Sequence, residues 1–317
     1  METIRPSELP QLNGDLFLTD GGLETTLIFH RGIDLPQFAA FVLLDDDDGT
    51  EEIRRYYESY LALAKEHGAG FVLESPTWRA SPRWAGELGY SDEALDEANR
   101  RAIALMAELR DRFKGDVSPI VISGQIGPQD DGYRPEQKLT AEQAADYHST
   151  QIATFAETEA DMVTALTMTY PDEAIGVTNA AKRAGIPVAI SFTVETDGRL
   201  PNGQGLGEAI EETDAATNGG PAFYMINCAH PTHFEAVLDP DERWVQRIRA
   251  LRANASTLSH AELDEAEELD AGDPADLGAR YAALRKQLPN LNVVGGCCGT
   301  DDRHVAEICT AWLQPAA

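Results

Sequence analysis

Four cysteines stand in the 317-residue chain, and three of them invite chemistry. Cys228 follows the apolar run Phe223 to Asn227, and the adjacent Cys297 and Cys298 follow Leu291 to Val294 and two glycines. If both runs are strands of one closed barrel, the three sulfurs meet at one mouth, because in such barrels functional groups sit where strands end. Three converging thiolates suit zinc (Zn2+), a borderline-soft ion that takes sulfur at about 2.3 Å and keeps a fourth position open in catalytic sites. Neighbouring side chains on a strand point to opposite faces. Cys297 and Cys298 therefore grip one ion only if the chain leaves the strand there, and Gly295, Gly296 and Gly299 are expected to give it that freedom. Taken alone, the pair reads as small buried residues at a strand end; the strand-terminal Cys228 turns the reading toward a metal. Zinc with three thiolates is net anionic, poor at splitting water but able to hold an incoming thiol as a nucleophilic thiolate. That is a thiol-alkylation site, whose natural electrophile is a methyl group on a sulfonium or quaternary ammonium. His230 and His233 follow closely, yet Pro231 opens a helix there, so neither is expected to ligate. Cys309, within the last apolar helical pattern, reads as core.

The elements that must position these groups recur as strand then helix. Leu16 to Thr19 is a short apolar run ending in Asp20-Gly21-Gly22. After the acidic run Asp45 to Asp48, read as a solvated loop, Glu51 to His67 carries apolar residues at helical spacing and Gly68 stops it. Phe71 to Leu73 is a buried strand leading to Glu74. Ser91 caps a helix that stops near Gly115 and feeds the strand Ile120 to Ser123. Thr140 with Gln143 forms a capping box, followed by the strand Met162 to Ala165. The helix Asp172 to Ala184 ends at Gly185 and precedes the strand Pro187 to Phe192. Arg247 to Asn254 is the least apolar strand candidate, because of its arginines. The stretch 259–276 reads as an acidic surface insertion before the helix Leu277 to Gln287. About eight β/α units without a linker predict a single (β/α)8 TIM barrel spanning 1–317.

Composition narrows the partners. The chain has 25 Lys plus Arg against 54 Asp plus Glu, a formal charge of −29, which argues against binding a nucleic-acid backbone. No apolar run approaches the roughly 20 residues needed to cross a bilayer, and Met1 to Gly14 lacks an export pattern, so a soluble cytoplasmic protein is expected. The few cysteines fit a reducing compartment. The acids spread along the whole chain, as on a carboxylate surface adapted to salt or on an ordinary acidic enzyme. Only five lysines occur and none falls at an expected strand end, which disfavours Schiff-base chemistry. No glycine-rich nucleotide fingerprint follows the first strand.

With these residues in view, the chain resembles the homocysteine S-methyltransferase family, zinc-dependent (β/α)8 barrels that move a methyl group from S-methylmethionine, S-adenosylmethionine or betaine to homocysteine. The resemblance rests on Thr19-Asp20-Gly21-Gly22-Leu23, Gly124-Gln125-Ile126-Gly127-Pro128, Ser191-Phe192-Thr193, Ile226-Asn227-Cys228 and Gly295-Gly296-Cys297-Cys298-Gly299. It implies that Cys228, Cys297 and Cys298 ligate zinc. It also implies that Asp20 and the Gly21 amide lie against the amino-acid end of the acceptor, and that Gly127, Pro128 and Tyr133 belong to a loop over the pocket. The compact length is closer to the members that use S-methylmethionine. Asn227, just before a ligand, is expected to orient it.

Two departures stand out. The family places a Glu-Thr pair after strand 4, whose carboxylate holds the acceptor's ammonium, and this chain reads Ala165-Leu166-Thr167-Met168 there. After strand 2 it has Glu74-Ser75-Pro76-Thr77-Trp78 in place of Thr-Asn-x-Tyr. Glu74 is therefore expected to take over the ammonium contact, with a solvated loop acid as the plainer alternative. Trp78 and Trp84 read as packing residues, or as a wall for a sulfonium. The expectation is a zinc-dependent methyltransferase moving a methyl from a sulfonium donor to the thiol of homocysteine. Asp20 and Glu74 would serve catalysis, and Asp20, Gly21, Glu74, Gly127 and Asn227 would hold the substrate. Its partners are small molecules only, a thiol acceptor and a methyl donor, and oligomeric state stays open. The alternatives are the same chemistry on another small thiol, or a non-catalytic zinc or redox-sensing barrel.

Overall fold

A computed structural model of the chain describes residues 8–314 other than residue 267. Eight parallel strands close into a barrel in sequence order. They are β1 (Phe17–Leu18), β2 (Gly70–Glu74), β3 (Ile120–Ile126), β4 (Met162–Met168), β5 (Val188–Phe192), β6 (Phe223–Asn227), β7 (Ile248–Ala253) and β8 (Val293–Gly296). Phe17 pairs with Gly70 on one side and Val293 on the other, which closes the ring. Helices α1 (Leu23–Thr25), α2 (Asp47–His67), α3 (Pro82–Glu87), α4 (Asp92–Phe113), α5 (Ala141–Ala156) and α6 (Pro171–Ala184) accompany the first half. α7 (Leu206–Thr217), α8 (Pro231–Phe234), α9 (His260–Glu265), α10 (Pro274–Leu284) and α11 (Asp302–Leu313) accompany the second. Among the described residues no helix is long and apolar enough to cross a membrane.

The period of two along each strand sorts side chains into two layers. Phe71, Leu73, Ile122, Val163, Ile190, Tyr224, Leu251 and Val294 join the core shared with the helices. Phe17, Val72, Val121, Met162, Ala189, Met225, Ala250 and Val293, one from every strand, fill the barrel interior. Two residues further along each strand the inward position turns polar or small: Thr19, Glu74, Ser123, Thr164, Ser191, Asn227, Arg252 and Gly295. All of these are buried, so this layer forms a polar floor beneath the mouth.

The helix signals act as the sequence predicts. Ser91 Oγ accepts the Ala94 N–H, Thr140 and Gln143 form a capping box, and Gly185 ends α6 at φ 73°. The acidic run at 45–48 is not a free loop. Asp46 caps α2, its carboxylate accepting the Gly49 N–H at 2.7 Å, and Asp47 and Asp48 sit in the first turn, where the helix dipole favours anions. The 259–276 stretch departs from a surface insertion. Glu262 stays on the outside and Asp264 reaches the open side of the site cavity, while Ser259 caps α9 and His260 is buried, its Nε2 2.7 Å from the Cys228 carbonyl oxygen.

Candidate functional site

Cys228 stands one residue past β6 with φ 53°, a left-handed backbone that non-glycine residues seldom adopt, and its N–H is held by the Arg252 carbonyl at 3.1 Å. Cys297 and Cys298 follow β8, where the chain has left the strand. The three Sγ atoms lie within 4.8 Å of one another, and no other group of three metal-binding side chains is so placed among the described residues. Cys228 and Cys297 are joined as a disulfide, the oxidised counterpart of two thiolate ligands, while Cys298 is free. The spacing and the all-sulfur donor set fit a zinc ion once the pair is reduced.

The glycines here serve close approach more than conformational freedom. Gly295 and Gly296 lie in regular strand, where a Cβ would run into Thr19 and Thr300, and a Cβ on Gly22 would stand 2.6 Å from the Cys297 carbonyl. Only Gly299, at φ 79°, supplies the backbone turn expected of the group.

Asn227 is locked in place beside the cysteines. Its Oδ1 accepts the Thr167 N–H at 2.9 Å and the Ser191 hydroxyl at 2.6 Å, and its Nδ2 donates to Cys228 Sγ at 3.2 Å. Tyr133, from the loop after β3, places its hydroxyl 3.3 Å from Cys298 Sγ and stacks on the His260 ring with centroids 3.9 Å apart. His230 caps α8, with its Nδ1 2.8 Å from the Thr232 hydroxyl, and His233 contacts the Thr257 carbonyl, so neither turns to the sulfurs. Cys309 is buried in the core.

A cavity of about 180 Å3 opens above the cysteines. The turn after β1 lines it with Asp20, Gly21 and Glu24, and Trp78, Gln125, Tyr133 and Leu166 line it from the ends of β2, β3 and β4. Asp20 pairs with Arg252 at 2.9 Å and accepts the Tyr56 hydroxyl at 2.9 Å. Burial raises the Asp20 carboxyl above its ordinary range, with Arg252 and Tyr56 pulling it back. Arg252 also donates to the Gly296 and Gly21 carbonyls, each at 3.0 Å, tying β7 to both flanks of the site.

Of the residues expected at the site, the three cysteines, Asp20, Gly21 and Asn227 line this cavity; Glu74 and Gly127 do not. Glu74 points into the polar floor, 2% exposed, where burial pushes its carboxyl up to about 7 against the pull of Arg252, Ser123 and Thr164. It is neither a solvated loop acid nor part of the cavity wall. Gly127 lies behind Trp78, whose indole would stand 2.8 Å from a Cβ there. The Arg79 guanidinium stacks on one face of each indole, 4.0 Å from Trp78 and 3.7 Å from Trp84; Trp78 still lines the cavity, whereas Trp84 is buried outside it. Arg252 and Glu24 escaped the sequence reading. The signal for Arg252 is its position two residues past Ala250, in phase with Glu74 and Asn227; for Glu24 it is a charge on the same strand-end turn as Asp20.

A family model described as homocysteine S-methyltransferase matches residues 17–312. The chain is similar to solved structures of the homocysteine methyltransferase MmuM from Escherichia coli. The oxidized form superposes with a TM-score of 0.74 at 17% identity, covering 97% of this chain and 99% of that one. The metallated form gives 0.70 at 17% identity, with coverage of 94% and 96%. The apo form gives 0.67 at 18% identity, covering 97% and 100%. At such identities the likeness is one of fold.

Proposed function

The chain belongs to the homocysteine S-methyltransferase family, and on that footing we propose that it moves a methyl group from a sulfonium donor, S-methylmethionine or S-adenosylmethionine, to the thiol of homocysteine, forming methionine. The observation that carries this reading is the meeting of Cys228, Cys297 and Cys298 within 4.8 Å at the floor of a cavity. Those three side chains would hold zinc, which when bound keeps an acceptor thiol deprotonated near neutral pH and nucleophilic.

The chain's own residues do the rest. Asn227 fixes the Cys228 sulfur, and Thr167 and Ser191 fix Asn227, so the ligand set is preorganised. Asp20 and Gly21, on the cavity wall beside the cysteines, are the proposed contacts for the acceptor's amino-acid end. Glu74 acts from beneath, through the charge it shares with Arg252 and Asp20, and Gly127 lets Trp78 close against the loop over the pocket. As a thiolate attacks a sulfonium, opposite charges disappear. The apolar wall of Leu23, Phe38, Trp78 and Leu166 therefore favours the transition state over the separated ions. Holding both substrates in one cavity makes the transfer effectively unimolecular.

One departure favours a second acceptor. Leu166 and Thr167 occupy the β4 wall where the family carries a carboxylate, which points to a small thiol other than homocysteine. A panel of thiols, each isotope-labelled in its own carbon skeleton and offered with one methyl donor, separates the two readings. Labelled methionine as the main product supports the first, and a different methyl thioether supports the second.

A further inference from the structure

Four carboxylates reach the cavity: Asp20, Glu24, Asp131 and Asp264. Three are engaged by the protein. Asp20 has Arg252 and Tyr56, and Asp131 accepts the N–H groups of Tyr133 and Arg134 at 2.8 and 2.9 Å. Asp264 lies 3.8 Å from the Arg134 guanidinium. Glu24, in α1, differs. Among the described residues its carboxylate is hydrogen-bonded only by its own backbone N–H; the Asp20 charge opposes its ionisation, and Arg252 and Arg79 act on it only through longer-range attraction. Burial pushes it up to about 7, so the charged form is held there at a disadvantage that a cation brought into the cavity would remove.

Its place in the fold says which part of a ligand it would meet. The neighbouring Thr25 hydroxyl accepts the Gly299 N–H at 3.0 Å, and Gly22 packs on the Cys297 carbonyl, so the Glu24 turn is built directly onto the cysteine loop. An acceptor whose sulfur sits at the cysteines thus has this carboxylate beside it. The β4 wall presents Leu166 and Thr167, and Glu74 is buried in the polar floor and does not line the cavity, so neither competes for the role.

We propose that Glu24 binds the ammonium group of the acceptor and so selects an amino-acid thiol over one without the amine. The proposal rests on the acceptor reading given above, and binding measurements judge it separately from catalysis. Calorimetric titration of the zinc-loaded, reduced protein with homocysteine and with 4-sulfanylbutanoate, which keeps the thiol and carboxylate but lacks the ammonium, gives the selectivity directly. Wild type is expected to prefer homocysteine by about tenfold to a hundredfold, the range of a charge-assisted hydrogen bond. Glu24→Gln is expected to bring the two thiols within about threefold, and Glu24→Asp to recover part of the preference. Unchanged preference in Glu24→Gln, or a wild type that binds both thiols alike or neither, overturns the proposal. Methyl transfer assayed in parallel tests the reaction alone: a wild type that transfers no methyl yet shows the Glu24-dependent preference contradicts the assigned activity and supports the role of Glu24.

Discussion

Asn227 joins the two halves of the site, taking hydrogen bonds from Thr167 and Ser191 on one side and giving one to the Cys228 sulfur on the other. Asn227→Ala is expected to lower zinc affinity by about tenfold to a hundredfold, as loss of an orienting partner typically does. Competition with a chromogenic chelator measures it, and an unchanged affinity would remove the orienting role. Glu74 makes a prediction of opposite character. Its folded carboxyl titrates near 7, above the ordinary value of 4.5, so between those values the folded chain holds a proton that the unfolded chain has lost. Stability at this site is therefore lost as pH rises through that window. Glu74→Gln should gain on wild type by an amount on the order of 3 kcal/mol between pH 4 and pH 8, read from urea midpoints at each pH. A variant whose difference from wild type does not change with pH would show that Glu74 ionises normally. At this scale the cysteines were legible because their chemistry and strand-end spacing announce themselves. The direction of Glu74 was not, since the sequence places a strand end without saying whether its last residue faces the cavity or the floor.

At the scale of elements, β7 shows why hydrophobic patterning alone undervalues a strand. Its arginines break the apolar run, but Arg252 occupies the inward polar layer in phase with Glu74 on β2 and Asn227 on β6, and it satisfies Asp20 and two carbonyls there. Arg252→Met leaves the buried Asp20 without its cation and is expected to destabilise the fold by about 3 to 5 kcal/mol. Chemical denaturation checks this, and a loss under about 1 kcal/mol would mean that the pair is dispensable. Capped helices such as α4, α5 and α6 were readable residue by residue, because Ser91, the Thr140-Gln143 box and Gly185 act locally. The stretch between β1 and α2 was not: it runs through a π turn and short 3-10 turns, with Gln37 and Phe38 both at φ 55°, and such turns have no period to detect. α9 was hidden for another reason. Its acidic outer face looks like a solvated insertion, and only the tertiary fold brings His260 against Tyr133 and the Cys228 carbonyl.

Over the whole molecule, a formal charge of −29 sets the response to salt. Like charges repel in the compact state, and screening shortens their reach from about 30 Å at 0.01 M to 3 Å at 1 M salt. The melting temperature is expected to rise across that range; a flat response would mean that the ion pairs already balance the repulsion. The closed barrel itself was legible as a recurring alternation of strands and helices, while the closure that brings β6 and β8 to one mouth gives the cysteines their meaning. The central claim is tested most directly by incubating the reduced, zinc-loaded protein with carbon-labelled homocysteine and unlabelled S-methylmethionine or S-adenosylmethionine, beside Cys298→Ala. Labelled methionine from the wild type alone is the result expected. No labelled methionine from either donor, with zinc bound, or equal transfer by Cys298→Ala, would contradict it.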